Sequence, residues 1–278
     1  MIQDIAPYQY RNEYKPLPAD ENSIAFYFNE QSVLVKKRPE GIQYPRFKDL
    51  AALNEKIYED SIYLFSIDEE RYYLVDDISL ERLSLFQMEN TEMFRGANPQ
   101  YLAFAGITAY QLYNWYQKNK YCGQCGSAMG HDEKERMVRC SRCKNIVYPK
   151  ISPAVIIGVT HGNQLLLTQY RHRLAKHYAL IAGFVEIGES LEACVQREVM
   201  EEVGLKVNNI RYYKSQPWSF SDTLLMGFFC DLAVDEPIRL DEEELSLAQW
   251  FEREEIPVEA TRDSLTNEMI MHFKNGEL

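Results

Sequence analysis

Residues 183–205 read GFVEIGESLEACVQREVMEEVGL, and this stretch predicts a loop, a helix and a second loop. Ser190 is suited to the helix N-terminus, because its hydroxyl can accept a hydrogen bond from an unpaired N–H of the first turn. Gly204 is suited to the left-handed position that ends many helices. The stretch therefore predicts a helix over about residues 190–203. Its apolar face consists of Leu191, Val195, Val199 and Val203.

Three glutamates crowd the end of this predicted helix. Glu198, Glu201 and Glu202 lie three and four residues apart, so a helix places them on one side. Like charges at this spacing repel by about 0.2–0.5 kcal/mol per pair. A cluster of carboxylate oxygens is also the donor set that Mg²⁺ or Mn²⁺ prefers. The helix alone leaves two interpretations open, a divalent metal site and a solvated acidic face.

The surrounding residues resemble the Nudix box, G-x5-E-x7-R-E-U-x-E-E-x-G-U, in which U is aliphatic, and every specified position matches. The resemblance implies hydrolysis of a nucleoside diphosphate linked to another group. Such a diphosphate resists attack because of its own charge, which divalent cations neutralise. The matching positions are Gly183, Glu189, Arg197, Glu198, Val199, Glu201, Glu202, Gly204 and Leu205.

The 278 residues, 46% of them hydrophobic, allow one large domain or two to three smaller ones. The 30 basic and 42 acidic residues give a net charge of −12, which argues against nucleic-acid binding over the whole surface. We see no signal peptide and no apolar run approaching the ~18–20 residues that a membrane span needs. We therefore expect a cytoplasmic protein with no membrane partner, whose six cysteines are ligands or free thiols rather than disulfides.

Residues 1–118 predict a β-rich N-terminal domain that ends in a helix. Short aromatic and β-branched runs predict strands at Ser23–Asn29, Ser32–Lys36 and Ser61–Ser66. Tyr101–Lys120 predicts a helix. A scaffold or dimerisation role is the default for this domain. The helix turns inward through Leu102, Ile107, Leu112 and Trp115.

Residues 119–150 predict a zinc ribbon. Cys122 and Cys125 form one C-x-x-C knuckle, and Cys140 and Cys143 form a second one fourteen residues later. Four thiolates make a closed tetrahedral set for a structural Zn²⁺, because no position is left for water. A redox dithiol is the alternative. Cys194 and Cys230 lack such partners and are expected to be buried thiols.

Residues 115–150 contain eight basic and three acidic residues, a local net charge of +5. This charge is typical of a surface that attracts phosphate-rich ligands or an RNA end, and equally of a solvated ribbon.

Residues 151–278 predict an α/β (α+β) domain, an α/β/α sandwich with a mixed sheet between helices. The sequence His161–Asn163 predicts a hairpin turn. Asp263–Lys274 predicts a terminal helix that turns Leu265, Met269, Ile270 and Phe273 inward. The predicted strands are Pro153–Val159, Gln164–Gln169, Tyr178–Ala182, Ile210–Tyr213, Leu224–Phe229 and Leu247–Trp250.

Residues 215–223, SQPWSFSDT, resemble the S-Q-P-W-P-F-P-x-S element of the NADH pyrophosphatase branch of the Nudix hydrolases. That branch has a four-cysteine ribbon directly before its Nudix domain, so the resemblance covers the chain from about residue 120 to its end. Ser219 and Ser221 replace two prolines of the element, and Thr223 replaces its closing serine. These departures loosen the element and weaken the assignment of substrate. Outside this context, Trp218 and Phe220 are typical of a protein core.

The resemblance implies a divalent metal, Mg²⁺ or Mn²⁺, held by Glu198, Glu202, the carbonyl of Ala182 and Glu244. Glu201 completes the cluster. Glu244 stands in an acidic run that is ordinarily surface, with Glu242 and Glu243 beside it. We expect Arg197 to pair with a box glutamate and fix its rotamer.

The resemblance also implies a set of substrate contacts. Tyr148 and Phe184 match aromatic contacts to the nucleotide base. Glu135 and Thr266 match further contacts, although alanine is usual at the position of Thr266. The substrate loop corresponds to Gln216, Pro217, Trp218, Ser219, Phe220, Ser221, Asp222 and Thr223.

The expected reaction is attack of water on a phosphorus of NADH or NAD, with one glutamate accepting the proton, to give NMN(H) and AMP. Removal of an NAD cap from RNA breaks the same bond. ADP-ribose or another nucleoside diphosphate derivative is an alternative substrate. A zinc-ribbon regulator that binds nucleic acid or senses a nucleotide is the alternative of another class. The resemblance implies a homodimer.

Overall fold

The computed structural model describes residues 1–54, 56–80, 83–172, 177–261 and 264–278. The chain forms two compact units. The N-terminal unit comprises Ile2–Lys150 together with Ser219–Ser221, and the C-terminal unit comprises Met1, Ile151–Trp218 and Asp222–Leu278. Ser219–Ser221 thus belong to a different unit from the strands on either side of them.

The first ninety residues of the N-terminal unit form two small sheets. Strand β6 (Ile62–Ile67) pairs with β1 (Tyr10–Arg11) and β7 (Glu70–Leu74), and β7 pairs in parallel with β2 (Ile24–Phe26). The second sheet surrounds the central strand β4 (Ser32–Arg38). Its neighbours are β3 (Phe28–Asn29), β5 (Gly41–Gln43) and β8 (Gln87–Asn90). Two short helices, α1 (Phe47–Leu50) and a 3-10 turn at Thr91–Arg95, complete this part.

Helix α2 (Gln100–Lys118) packs against these sheets. Leu102, Ile107, Leu112 and Trp115 are buried as predicted. Burying side chains of this kind stabilises a fold by about 1.5–3 kcal/mol each. The predicted helix was two residues too long at its C-terminus. The observed helix ends at Lys118, because the side-chain amide of Asn119 donates to the carbonyl of Trp115 at 2.7 Å and caps the last turn.

The zinc ribbon is a three-stranded antiparallel sheet within the N-terminal unit. Its strands are β9 (Met129–His131), β10 (Val138–Cys140) and β11 (Ile146–Val147). Val138 lies in the same buried cluster as helix α2, and Met129 and Val147 pack against that cluster. The ribbon therefore uses the core of the N-terminal unit, as expected for a segment too short to have its own.

The C-terminal unit contains a six-stranded mixed sheet. Its strands are β12 (Ser152–His161), β13 (Gln164–Tyr170), β14 (Ile181–Phe184), β15 (Val207–Trp218), β16 (Thr223–Leu232) and β17 (Leu245–Glu252). Their order is β15-β16-β12-β13-β17, with β14 also paired to β12. Strands β12 and β16 run parallel, and the other pairs are antiparallel. The turn at Gly162 and Asn163 joins β12 to β13, as predicted.

Helices cover both faces of this sheet. On one face, Val155 and Ile157 of β12 share a buried cluster with α3 (Leu191–Val203). On the other face, Ile156 shares a cluster with α4 (Leu265–Lys274). This alternation along one strand confirms the predicted α/β/α sandwich with a mixed sheet. A 3-10 turn at Arg253–Glu255 follows the last strand.

Some predicted boundaries were wrong. The run Ser23–Asn29 changes sheet at Tyr27 and forms two strands. The strand predicted at Tyr178–Ala182 lies at Ile181–Phe184, because its ladder with β12 begins at Ile181 while Ala179 bridges to Thr168. Asp263, the predicted start of α4, lies outside the described residues. No helix among the described residues is long and apolar enough to cross a membrane.

Candidate active site

Helix α3 begins and ends where its sequence predicts. The Ser190 hydroxyl accepts a hydrogen bond from the Ala193 N–H at 3.2 Å. Gly204 has φ +68°, a left-handed conformation that glycine adopts without steric cost, and its N–H donates to the carbonyl of Met200. The buried residues Val195, Val199 and Val203 fix the rotation of the helix against the sheet. That rotation decides which glutamates turn inward.

The three box glutamates near the end of α3 do not share one environment. Glu198 and Glu202 are buried, with 9% and 2% of their surface exposed, whereas the Glu201 side chain is 59% exposed. Helical spacing predicts one acidic side. In the structure, Glu201 faces solvent while Glu202 is buried, because the two side chains lie about 100° apart around the helix.

The carboxylate of Glu202 is buried without a hydrogen-bond partner from the described part of the chain. Neither of its buried carboxylate oxygens has a partner among the described residues. Its pKa is raised to about 8, chiefly by burial and also by the nearby charges of Glu198 and Glu244, while the Ala182 backbone opposes the rise. A buried carboxylate without partners costs several kcal/mol if it stays charged. The Glu202 site therefore favours a cation or a proton.

Glu198 packs directly against the backbone of Gly183. An ideal Cβ at position 183 would stand 1.9 Å from Cδ of Glu198, which leaves room only for glycine. Burial raises the pKa of Glu198, and this effect outweighs its 2.7 Å ion pair with Arg197. The first glycine of the box thus makes space for one of its carboxylates.

Arg197 joins the glutamates that surround it. Its guanidinium donates to both oxygens of Glu189, at 2.8 and 2.9 Å, and to Glu198 at 2.7 Å. It also donates to Glu201 at 2.8 Å and to the carbonyl of Phe184 at 3.0 Å. The bidentate pair lowers the pKa of Glu189 to about 2. Arg197 therefore orients Glu198 and Glu201, and none of its ion pairs is with Glu202.

The acidic turn directly before β17 brings Glu244 near these carboxylates. The Asp241 N–H donates to the carbonyl of Glu202 at 2.9 Å, and the Asp241 carboxylate accepts from the Glu243 N–H at 2.8 Å. The charge of Glu244 raises the pKa of both Glu198 and Glu202. Among the described residues, no three carboxylates place oxygens within 4.8 Å of one another. The oxygen-only donor set nevertheless fits a hard divalent cation, because the Glu202 oxygens are buried and accept no hydrogen bond from any described residue.

Half of the predicted substrate loop lies in strands. Gln216, Pro217 and Trp218 end β15, and Thr223 begins β16. Gln216 is fully buried, and its Oε1 accepts the Leu265 N–H at 2.7 Å, beside the Ser264 cap of α4. Gln216 therefore holds the helix that carries Thr266.

The remaining predicted loop residues lie in the turn. Ser219, Phe220 and Ser221 belong to the N-terminal unit, where Phe220 lies under Arg95, with 4.1 Å between the guanidinium and the ring centre. Asp222 has φ +56°, and its carbonyl accepts the Ser152 N–H at 2.7 Å.

The predicted aromatic contacts are both open to solvent within their own units. Phe184 is 56% exposed at the end of β14, and Tyr148 is 57% exposed after β11. The Tyr148 hydroxyl donates to Glu135 at 2.7 Å, and this bond is the main cause that raises its pKa. The pairing of two predicted contact residues, Glu135 and Tyr148, was not evident from the sequence.

The four ribbon cysteines form one cluster. Their sulfur atoms lie within 4.8 Å of one another, with 3.5 Å between Cys122 and Cys143 and 3.5 Å between Cys125 and Cys140. Tetrahedral zinc with Zn–S bonds of about 2.3 Å needs sulfurs about 3.8 Å apart. The cluster therefore fits structural zinc.

Each knuckle of the ribbon is closed in the same way. Gly126 and Lys144, which directly follow the second cysteine of each knuckle, have φ of +72° and +64°. Their N–H groups donate to the carbonyls of Cys122 and Cys140. Cys194 and Cys230 lie apart in the core as predicted, and burial raises the pKa of both thiols to about 12.

Sequence reasoning did not give Glu189 a role of its own. It is the strongest partner of Arg197, and one of its oxygens also accepts the Glu186 N–H at 3.0 Å. The signal was present, because Glu189 is a specified position of the box. Gly183 and Glu198 are also specified positions of the box, but the box does not reveal that they contact each other.

Comparison with known proteins gives two family matches. Residues 150–273 match the NUDIX domain, and residues 117–148 match the NADH pyrophosphatase zinc ribbon domain.

Similar curated proteins carry the name NAD-capped RNA hydrolase NudC. The protein from Photorhabdus laumondii is 39% identical over 160 residues, which are 58% of this chain and 62% of that protein. The protein from Klebsiella pneumoniae strain 342 is 43% identical over 158 residues, 56% of this chain and 60% of its own. The Vibrio cholerae protein is 41% identical over 170 residues, 61% of this chain and 62% of its own.

The matched part of the chain thus spans about three fifths of the length of these relatives. The two family matches, residues 117–148 and 150–273, contain the ribbon cysteines and every residue of the box. Residues 150–273 are therefore a Nudix domain, and an NADH pyrophosphatase zinc ribbon, residues 117–148, lies directly before it in the sequence.

Proposed function

We propose that this protein hydrolyses the central diphosphate of NADH or NAD to NMN(H) and AMP. The observation that carries the proposal is the buried carboxylate of Glu202 beside Glu198, which has no hydrogen-bond partner among the residues that the structure describes, within a complete Nudix box. The relatives named NAD-capped RNA hydrolase, together with the ribbon and the S-Q-P-W element, support a dinucleotide substrate.

The residues expected to hold a divalent metal are Glu198, Glu202, Glu244 and the carbonyl of Ala182. When bound, Mg²⁺ or Mn²⁺ neutralises the diphosphate charge and promotes ionisation of water. Arg197 holds the rotamers of Glu198 and Glu201 through its ion pairs. One glutamate accepts a proton from the attacking water. The new P–O bond then forms as the bond to the bridging oxygen breaks.

The same bond joins the NMN part of an NAD cap to the first nucleotide of RNA. We therefore include decapping of NAD-capped RNA in the proposal. The local charge of +5 over residues 115–150 supports attraction of an RNA chain. Tyr148 and Phe184 supply exposed rings suited to stacking on a base.

The test is product analysis by mass, with NADH, NAD, ADP-ribose and NAD-capped RNA supplied in parallel with Mg²⁺ or Mn²⁺. The proposal predicts NMN(H) and AMP from the dinucleotides, and NMN with 5′-monophosphate RNA from capped RNA. Faster turnover of ADP-ribose than of every NAD-containing substrate would reject the substrate assignment and keep the enzyme class.

ADP-ribose or another nucleoside diphosphate derivative is the second candidate. It is favoured by Ser219 and Ser221, which replace two prolines of the S-Q-P-W element and leave the turn less constrained. A regulator that binds RNA through its zinc ribbon is the candidate of another class. Zinc-dependent RNA affinity without turnover of any substrate would favour that regulator. Homodimerisation and a cytoplasmic location stay predictions, which sedimentation and cell fractionation test.

A further inference from the structure

Residues 132–137 form the loop that joins the first two strands of the zinc ribbon. Asn12 and Tyr14, in a segment near the N-terminus, contact this loop. The Tyr14 hydroxyl donates to the carbonyl of Asp132 at 3.1 Å, across 118 residues of sequence. Arg136 donates to the carbonyl of Asn12 at 3.3 Å and stacks on the Tyr14 ring at 5.1 Å. The ribbon loop is therefore fixed from outside the ribbon.

Within this loop, Asp132 sets the position of Glu135. One oxygen of the Asp132 carboxylate accepts from the N–H groups of Lys134 and Glu135, at 2.9 and 3.1 Å. The Met137 N–H donates to the carbonyl of Glu135 at 2.8 Å, and the Asp132 N–H donates to the carbonyl of Met137 at 3.2 Å. These bonds close the loop, so a shift of Asp132 shifts the backbone of Glu135.

Glu135 in turn orients Tyr148. The 2.7 Å bond from the Tyr148 hydroxyl fixes a ring that is more than half exposed. An exposed tyrosine otherwise samples several rotamers, and ordering it during binding reduces affinity. A hydrogen bond that orders the ring beforehand removes part of that loss.

We propose that Tyr14 is a positioning residue: by holding the carbonyl of Asp132, it keeps the Glu135–Tyr148 pair in the orientation that binds the nucleotide base. The inference rests on the proposed function, because the base contact of Tyr148 comes from the resemblance. On this proposal, Tyr14 contributes to substrate affinity and does not take part in the chemical step.

The experiment compares Tyr14→Phe with a matched control, Tyr73→Phe, in the zinc-loaded full chain. The Tyr73 hydroxyl likewise donates to a backbone carbonyl, that of Leu17 at 2.7 Å, and this bond involves no residue of the ribbon. Loss of one hydrogen bond predicts a KM for NADH raised about three- to tenfold by Tyr14→Phe, with kcat changed by less than about twofold. Tyr73→Phe should leave KM unchanged.

A double-mutant cycle separates positioning from general destabilisation. In a Tyr148→Phe background, Tyr14→Phe should change KM by less than about twofold, because the bond it supports is already gone. An equal effect of Tyr14→Phe in both backgrounds, or an unchanged KM in the single variant, would overturn the proposal.

A measurement without substrate keeps this inference separate from the proposed function. With 3-fluorotyrosine at position 148, Tyr14→Phe should shift the ¹⁹F resonance, and Tyr73→Phe should leave it in place. A resonance unmoved by Tyr14→Phe would show that Tyr148 is not positioned through Tyr14. If the parent protein does not cleave NADH, the proposed function fails, and the resonance alone decides the positioning of Tyr148.

Discussion

The carboxylate of Glu198 occupies the space in which a Cβ of residue 183 would stand. An ideal Cβ there would lie 2.0 and 2.2 Å from the two carboxylate oxygens. This close approach joins the end of strand β14 to helix α3. The Glu198 carboxylate therefore lies against the backbone of Gly183. The preceding residue is Ala182, whose carbonyl is a proposed metal ligand.

Gly183→Ala should therefore displace Glu198 and weaken metal binding. We expect activity and Mn²⁺ affinity to fall about 10- to 100-fold, as when groups that support metal ligands are removed. Binding of Mn²⁺ followed by electron paramagnetic resonance measures the affinity directly. Gly96→Ala is the control, because a Cβ at that position would meet no heavy atom of the described residues within 4 Å, apart from its chain neighbours. Unchanged Mn²⁺ affinity in Gly183→Ala would contradict the proposed role of Glu198.

Glu202→Gln should abolish the stabilisation of the protein by Mg²⁺. A ligand at about 100 times its Kd stabilises a protein by about 2.7 kcal/mol, so the parent should unfold at a higher temperature in Mg²⁺ than in EDTA. In EDTA the variant should be at least as stable as the parent, because a neutral amide removes the repulsion from Glu198 and Glu244. Glu192→Gln, at an exposed position on the same helix, should keep the effect of Mg²⁺. If Mg²⁺ raised the unfolding temperature of Glu202→Gln as much as that of the parent, Glu202 would not be a ligand of the metal.

Cys140→Ser should remove the zinc and destabilise the N-terminal unit. Cys140 is fully buried, and the neighbouring Val138 packs in the same cluster as helix α2. Zinc content by atomic emission should fall from one ion per chain to none. Protection of the α2 amides from hydrogen exchange should fall with it. Cys230→Ser, which alters a thiol outside the cluster, should retain zinc, and retention in Cys140→Ser would contradict a four-cysteine site.

The ion pair of Arg211 with Asp231 should make the free energy of unfolding depend on pH in the acidic range. The bidentate bond from Arg211, at 2.9 and 3.0 Å, lowers the pKa of Asp231 to about 2 from 3.8. A lowered acidic pKa stabilises the fold above the unfolded value, and this contribution disappears as the pH falls through the folded one. Asp231→Asn should therefore be less stable than the parent at pH 7.

Urea unfolding from pH 7 down to pH 3 measures this difference, which should narrow below about pH 4. Asp235→Asn, at an exposed position, serves as the control. A difference that stays constant across this range would show that the charge of Asp231 does not cause it.

The main local features of the site could be predicted because they are written in short patterns. Ser190 and Gly204 mark both ends of α3, and the cysteine spacing predicts the ribbon. These signals depend on residues fewer than about 25 positions apart and on backbone chemistry that is the same in every protein.

The rest depends on contacts between distant residues. Helical spacing cannot distinguish the exposed Glu201 from the buried Glu202 until the packing of Val199 and Val203 fixes the helix rotation. The bond between Tyr14 and Asp132 spans 118 residues and involves a backbone carbonyl, which leaves no trace in a sequence pattern. The placement of Phe220 with the N-terminal unit is likewise a tertiary contact.

The most direct test of the account is the mass of the products formed from NADH in Mg²⁺, by the parent protein and by Glu202→Gln. We predict equal amounts of NMNH and AMP from the parent, and a rate at least about 100-fold lower from the variant. NADH that stays intact with the parent, or equal rates for the two proteins, would contradict it.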